Sequence, residues 1–137
     1  MKKYIITLFL VVLPWLSQAQ SLKGYYYNEE YQVYLQLSID SIDVKVPEQD
    51  IYGEIAGYFG SKRDARLWLI TDSERTGRHT AHITVVNDYG SEDFDAEIKE
   101  DDQGQLTVKH LHGSTFKIVV NKKYVKLPKT LILKKKQ

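Results

Sequence analysis

The sequence predicts an all-β domain, folded as an antiparallel up-and-down meander of 8–10 strands that closes, or nearly closes, into a barrel. Three observations predict this class. Apolar and polar residues alternate through most of the chain, turn signals recur about every 8–12 residues, and no segment carries an apolar stripe at helical spacing. Short links favour a meander, and closing it removes exposed sheet edges. A β-sandwich is the alternative.

The clearest strand covers residues 31–39. Every odd position in it is apolar, and every even position except Tyr34 is polar. Successive side chains of a strand point to opposite faces, so the segment is expected to have one dry face and one wet face. The dry face predicts a core built from Val33, Leu35 and Leu37.

A second alternating segment, residues 51–60, is rich in glycine. Gly53 and Gly57 share a phase with Phe59, and the whole segment is predicted to be one strand. Glycines on one face of a strand let it bend sharply, or let another group approach its backbone. This pattern favours a sheet that curls into a barrel.

The chain begins with the features of a secretory signal. Two lysines precede an apolar run of roughly a dozen residues, and a small-x-small sequence ends at Ala19. A spanning helix needs about 20 apolar residues, and Pro14 interrupts this run. We therefore expect residues 1–19 to be a cleaved signal peptide, residues 20–137 to form one domain, and no membrane span to remain after cleavage.

The sequence contains no cysteine and no Asn-x-Ser/Thr site. The lack of cysteine excludes a disulfide framework, a thiol nucleophile and a thiolate metal site. A short signal combined with these two absences indicates a bacterial protein of the periplasm or the exterior. A monomer is expected.

Charge is distributed unevenly along the chain. Residues 20–102 hold 8 Lys or Arg against 18 Asp or Glu, whereas residues 103–137 hold 9 Lys and no acid. A basic end is typical of proteins that bind nucleic acid or anionic surfaces. Export makes nucleic acid an unsuitable partner, so we instead expect the last strands to lie among acidic ones, with lysines guarding a sheet edge.

Residues suited to catalysis or metal binding do not form a recognisable motif. His110 and His112 would share a strand face, but a metal site needs a third ligand, from His82 or an aspartate. The acidic turn residues lack the spacing of a calcium loop, and no nucleophile elbow or phosphate loop occurs. We predict no catalytic residues, no cofactor and no metal. An envelope hydrolase is the weaker alternative.

The start of the first strand, Gly24-Tyr25-Tyr26, resembles lipocalin-like, calycin-type barrels. That family usually has Gly-x-Trp at this place, and Tyr26 replaces the tryptophan here. The resemblance implies a small secreted barrel that can bind a ligand, and it covers shape and strand order rather than function.

Two binding functions follow as hypotheses. In the first, the barrel interior or its mouth takes a small apolar ligand. In the second, the domain binds an envelope protein, as an inhibitor or immunity protein does, because tyrosines break the polar phase of several strands and are enriched at interfaces. The predicted binding residues are an outward aromatic patch with a neighbouring basic loop: Tyr34, Tyr52, Tyr58, Trp68, Lys62 and Arg63.

Overall fold

The computed structural model describes residues 21–136. The predicted signal peptide, residues 1–19, lies outside the described residues. The elements are twelve strands and one 3-10 helix, Asp50–Tyr52. In chain order the strands are β1 Lys23–Asn28, β2 Val33–Ser38, β3 Val44–Lys45, β4 Glu54–Ile55, β5 Gly57–Ser61, β6 Asp64–Arg75, β7 Thr80–Asn87, β8 Asp93–Glu100, β9 Gln105–Gly113, β10 Lys117–Val120, β11 Lys123–Lys126 and β12 Thr130–Lys136.

Eight strands form a closed antiparallel barrel in the order β1-β12-β9-β8-β7-β6-β5-β2. The predicted all-β meander is confirmed, and the sandwich alternative is excluded by the closure between β1 and β12. The remaining four strands form two small hairpins, β3–β4 and β10–β11. Each hairpin is an insertion between two strands that are neighbours in the barrel wall, which explains why the strand count exceeds the prediction.

The barrel interior is filled with side chains. Val33, Leu35 and Leu37 of β2 are at most 2% exposed, which confirms the predicted dry face. They belong to one apolar cluster that draws on all eight barrel strands. Large side chains at 0–2% exposure leave no water-sized space beside them, so the core is closely packed. Apolar side chains therefore fill the interior where these residues lie.

The lower end of the barrel, near Leu22 and the turn after β8, is closed around a buried carboxylate. Glu100 accepts hydrogen bonds from the Tyr26 hydroxyl at 2.6 Å and from the Leu22 amide at 2.7 Å. Its second oxygen lies 3.0 Å from the Lys135 ammonium. Desolvation and the Glu100 contact raise the pKa of Tyr26 above its ordinary value. A buried carboxylate is tolerable only with such partners.

The upper end is covered by the β10–β11 hairpin, which we call the cap hairpin. Phe116, just before β10, lies among Phe59, Trp68 and Phe94, with ring centroids 4.9–5.5 Å away. The Trp68 indole also donates a hydrogen bond of 3.0 Å to the Lys117 carbonyl. These contacts attach the cap hairpin to the barrel core.

The predicted strand at residues 51–60 is interrupted in the structure. Gly53 has a φ of +62° and links the 3-10 helix to β4, so only residues 57–60 of the segment belong to the barrel wall. There the glycines do allow close approach. A Cβ at Gly57 would lie 2.2 Å from the Gln36 carbonyl oxygen, and one at Gly60 would lie 2.4 Å from the end of the Tyr34 ring.

We predict that Gly60→Ala lowers the free energy of unfolding by about 1–3 kcal/mol, because the new methyl group must displace the Tyr34 ring. In a Tyr34→Ala background the ring is absent, so the same substitution should cost almost nothing. Urea unfolding of the wild type, both single variants and the double variant measures this coupling. Additive effects would contradict the assigned packing.

The basic end of the chain does not lie at a sheet edge. Strand β12 is paired on both sides, with β1 and with β9, so the expectation that its lysines guard an edge is wrong. Lys135 instead pairs with Glu100, and Lys136 lies 5.7 Å from the Tyr27 ring centroid. Within the described residues, no helix has the length and apolar character that crossing a membrane requires.

Candidate functional site

The three predicted tyrosines do come together on the outer face of the barrel, but they are packed rather than free. The Tyr34 and Tyr58 rings meet edge to face at 6.2 Å, and Tyr58 is 9% exposed. They join a second apolar cluster that includes Tyr52 and residues of the β3–β4 segment, such as Val46. Desolvation raises the pKa of Tyr34 and of Tyr58. The expectation of an open outward patch is corrected by this packing.

Trp68 does not belong with those tyrosines. It is 6% exposed and lies in the barrel interior, on the opposite face of the wall from the neighbouring Leu67 and Leu69. The basic pair lies where a turn was predicted, between β5 and β6. The Lys62 ammonium lies 4.7 Å from the Tyr27 ring centroid, and Arg63 donates to the Gln32 side chain at 2.5 Å.

A groove opens at the upper end between this turn and the cap hairpin, and we call it the rim groove. Its outer part encloses about 490 Å³. The lining residues are Arg63, Asp64, Arg66, Val119, Asn121, Lys122 and Tyr124. Three cations therefore face one carboxylate in this part of the groove. Of the residues predicted for binding, Arg63 lines this outer part and Trp68 lines the inner part.

The inner part of the rim groove is narrower and mainly apolar. It encloses about 50 Å³ above a floor that includes Leu67, Trp68 and Ile118. One oxygen of Asp88 is buried beside this space without a hydrogen-bond partner, while the other accepts from the Leu67 amide at 3.3 Å. A space of this size can hold a few water molecules. The groove thus has an apolar base and a polar rim.

The charged side chains of the rim are held in place by neighbours. Arg66 lies 3.1 Å from an Asp64 carboxylate oxygen, and a hydrogen bond to Tyr89 together with that charge raises the pKa of Arg66. Lys117 pairs with Glu92 at 2.6 Å. Fixed side chains lose less freedom when a ligand binds, so this arrangement favours recognition.

Aromatic side chains stand exposed around the groove. Tyr89, in the turn after β7, is 72% exposed, and Tyr124 of β11 is 67% exposed. Ile51 is 90% exposed, and its neighbour Tyr52 donates to the Asp88 carbonyl at 3.3 Å, which ties this segment to the same end. Within residues 21–136, Ile51, Tyr89 and Tyr124 are the three large apolar side chains with the greatest exposure.

The tip of the cap hairpin is a two-residue turn with an unusual occupant. Asn121 and Lys122 have φ angles of +53° and +66°, as a type I′ turn requires. Asparagine suits the first position and glycine the second, whereas lysine at positive φ is disfavoured by roughly 1 kcal/mol. Residues held in such conformations often belong to functional sites.

The histidines are separated by a bulge between β8 and β9. His110 pairs opposite Ala96 and stacks on Phe94 with ring centroids 5.0 Å apart, whereas His112 pairs opposite Asp95 on the outer face. Asp95 also lies 2.9 Å from His82, and hydrogen bonds from His82 and His112 lower the pKa of Asp95. Across residues 21–136, no group of three or more His, Cys, Asp or Glu side chains is placed to hold a metal ion.

Sequence reasoning did not identify Arg66, Tyr89, Lys122 or Tyr124. Two signals were available, since Tyr89 stands inside an Asn-Asp-Tyr-Gly turn and Tyr124 follows the Asn121-Lys122 turn. An aromatic residue in or beside a turn is expected to be exposed. Tyr89 and Tyr124 line the same groove as Arg66 only because the barrel closes.

Comparisons of the chain with family models, with curated proteins and with solved structures find no match. The eight-stranded closed barrel is compatible with a lipocalin-like shape.

Proposed function

We propose that this protein is an exported, non-catalytic binding domain that holds a partner protein at the upper end of the barrel, through the rim groove. The observation that carries the proposal is the concentration of exposed apolar side chains at that end. Tyr89, Tyr124 and Arg66 line the inner part of the rim groove, and the exposed Ile51 is adjacent to Tyr52, which is tied to this end through the Asp88 carbonyl. Tyrosine and arginine contribute disproportionately to binding energy at protein interfaces.

Packing of the barrel supports the same proposal. A ligand inside the barrel would have to displace Phe116 and the rings around it, whereas a partner at the rim needs no rearrangement of the core. In this proposal the lipocalin-like barrel is a rigid scaffold, and the loops at one of its ends bind the partner. Such loops on a rigid barrel are a common location for binding residues.

A small apolar ligand at the barrel mouth is the second candidate. The observation that favours it is the apolar floor formed by Leu67, Trp68 and Ile118 in the inner part of the rim groove. That space is small beside the several hundred Å³ typical of ligand pockets, so the partner protein ranks first.

Co-purification from envelope extract tests the proposal. The mature domain as bait is expected to retain a partner, and Tyr89→Ser combined with Tyr124→Ser should reduce the retained amount by about tenfold or more. A matched control, Ile42→Ser with Ile132→Ser, removes two exposed apolar side chains elsewhere and should retain the partner. Urea unfolding of both double variants should show that folding is intact.

Two results would contradict the proposal. Retention of the partner by the tyrosine double variant would exclude the rim groove as the contact surface. Recovery of only a small apolar molecule, with no protein, would favour the second candidate instead.

A further inference from the structure

The cationic part of the rim groove points to the chemistry of the partner. Arg63, Arg66 and Lys122 line about 490 Å³ of open groove, with Asp64 as the one acid among the lining residues. We propose that this part of the groove recognises an acidic segment of the partner protein, one that carries several carboxylates in sequence. The inference rests on the proposed function, since it names the partner's chemistry at the same site.

The two guanidinium groups are suited to carboxylates. Arg63 uses its Nε to donate to Gln32, whereas the Arg66 guanidinium contacts both Asp64 and Tyr89. Each group carries five donors in a fixed fork, so each keeps donors for a further acceptor. Arginine engages a carboxylate through two parallel hydrogen bonds. The existing contacts orient the groups and leave them able to bind.

Lys122 supplies the third cation from a position where lysine is disfavoured. Its φ of +66° lies in the region that suits glycine, yet its side chain lines the groove. Six non-glycine residues among those described have a positive φ, so the backbone conformation by itself assigns no role to Lys122. Its contribution to the proposal is a third positive charge at the wall of the groove.

The excess of positive charge in the outer part of the rim groove is local. Apart from Arg63, Arg66, Lys122 and Asp64, residues 20–137 carry 14 basic and 17 acidic side chains, so the remainder of the domain offers an acidic partner no net attraction. Opposite charge at one location steers such a partner to the groove and excludes other orientations. The occupant we infer is therefore a protein segment rather than a uniformly anionic surface.

Fluorescence anisotropy with a defined probe tests the inference. The probe is a fluorescein-labelled hexaglutamate peptide, and the matched peptide contains glutamine instead. We expect binding of the glutamate peptide alone, and weakening as NaCl rises from about 0.05 M to about 0.5 M, because salt screens exposed charges. Lys122→Gly and Arg66→Gln should each weaken binding by about fivefold or more.

Two further variants complete the design. Lys99→Gln removes an exposed charge on the outer face of β8 and should leave binding within about twofold of the wild type. Lys122→Gly places glycine at the strained turn, so it should raise the melting temperature or leave it unchanged while binding falls. If Lys122 had only a structural role, Lys122→Gly would lower the melting temperature and leave binding unchanged.

The inference is overturned if both peptides bind equally, if Lys99→Gln weakens binding as much as Lys122→Gly, or if anionic vesicles compete better than the glutamate peptide. Failure here is separable from failure of the proposed function. A partner that is retained in co-purification and is unaffected by Lys122→Gly contradicts only the acidic segment. Retention of no partner contradicts the proposed function.

Discussion

Phe116→Ala is expected to lower the free energy of unfolding by about 3–5 kcal/mol. The Phe116 side chain is 4% exposed and its ring contacts Phe59, Trp68 and Phe94, so truncation leaves a cavity in an aromatic cluster that barrel strands cannot fill without moving. The change also detaches the cap hairpin from the core. Urea unfolding followed by tryptophan fluorescence measures the loss, because Trp68 lies in the affected cluster.

The matched control for this prediction is Tyr124→Ala on the same hairpin. Tyr124 is 67% exposed, so its truncation should change stability by less than about 0.5 kcal/mol. If Phe116→Ala and Tyr124→Ala lower the free energy of unfolding by equal amounts, the cap hairpin is not anchored to the core through Phe116. A loss below about 1 kcal/mol for Phe116→Ala would contradict the anchoring as well.

Glu100→Ala should also lower the free energy of unfolding by about 3–5 kcal/mol, the range for removing one partner of a buried ion pair. The substitution leaves the Lys135 ammonium without this counter-charge and removes the acceptor of the Tyr26 hydroxyl and the Leu22 amide. These groups close the lower end of the barrel, so the damage is expected to spread to the first strand. Urea unfolding measures the total loss.

Glu97→Ala provides the control on the same strand. Glu97 is exposed on the outer face of β8, so its removal should change stability by less than about 0.5 kcal/mol. Hydrogen exchange adds a local reading, since the Leu22 amide should lose protection in Glu100→Ala and keep it in Glu97→Ala. Equal stability of the two variants would contradict the buried network.

The residues that follow strict alternation were predictable from the sequence. Val33, Leu35 and Leu37 form part of the core because a period of two fixes which face of a strand is buried. Closure into a barrel also followed, since short links between many strands leave few alternatives. Neither result depends on knowing which strands meet across the barrel.

Local irregularities in the strands limited how much of the remaining structure could be predicted. One extra residue at the bulge between β8 and β9 places the half-buried His110 on the core side of the wall and His112 on the outer side, so their predicted shared face does not exist. A bulge of this kind changes the phase of a strand without a clear signal in composition. The same holds for Gly53, whose positive φ ends one segment and begins another.

The tyrosine patch shows a second limit of alternation. Tyr34 and Tyr58 do face away from the barrel core, as their phase predicts, but the β3–β4 segment lies over that face and makes it a second core. Alternation distinguishes the two faces of a sheet without revealing what covers each. An insertion that packs back on the wall turns an expected surface into an interior.

The rim groove could not be located from the sequence because its walls come from separate parts of the chain. Arg63 and Arg66 lie near the start of β6, Tyr89 follows β7, and Lys122 and Tyr124 belong to the cap hairpin. Their proximity is a property of barrel closure, in which every second turn returns to the same end. Of the residues predicted for binding, only Arg63 and Trp68 line this groove.

Site-specific photo-cross-linking tests the proposed contact surface most directly. A benzoyl-phenylalanine placed at position 89 or 124 should cross-link the same envelope protein, whereas one at position 132, on the outer wall of the barrel, should not. Cross-linking at both rim positions and not at 132 is the result that partner binding at the rim groove predicts. Cross-linking at 132 without 89 and 124 would contradict it.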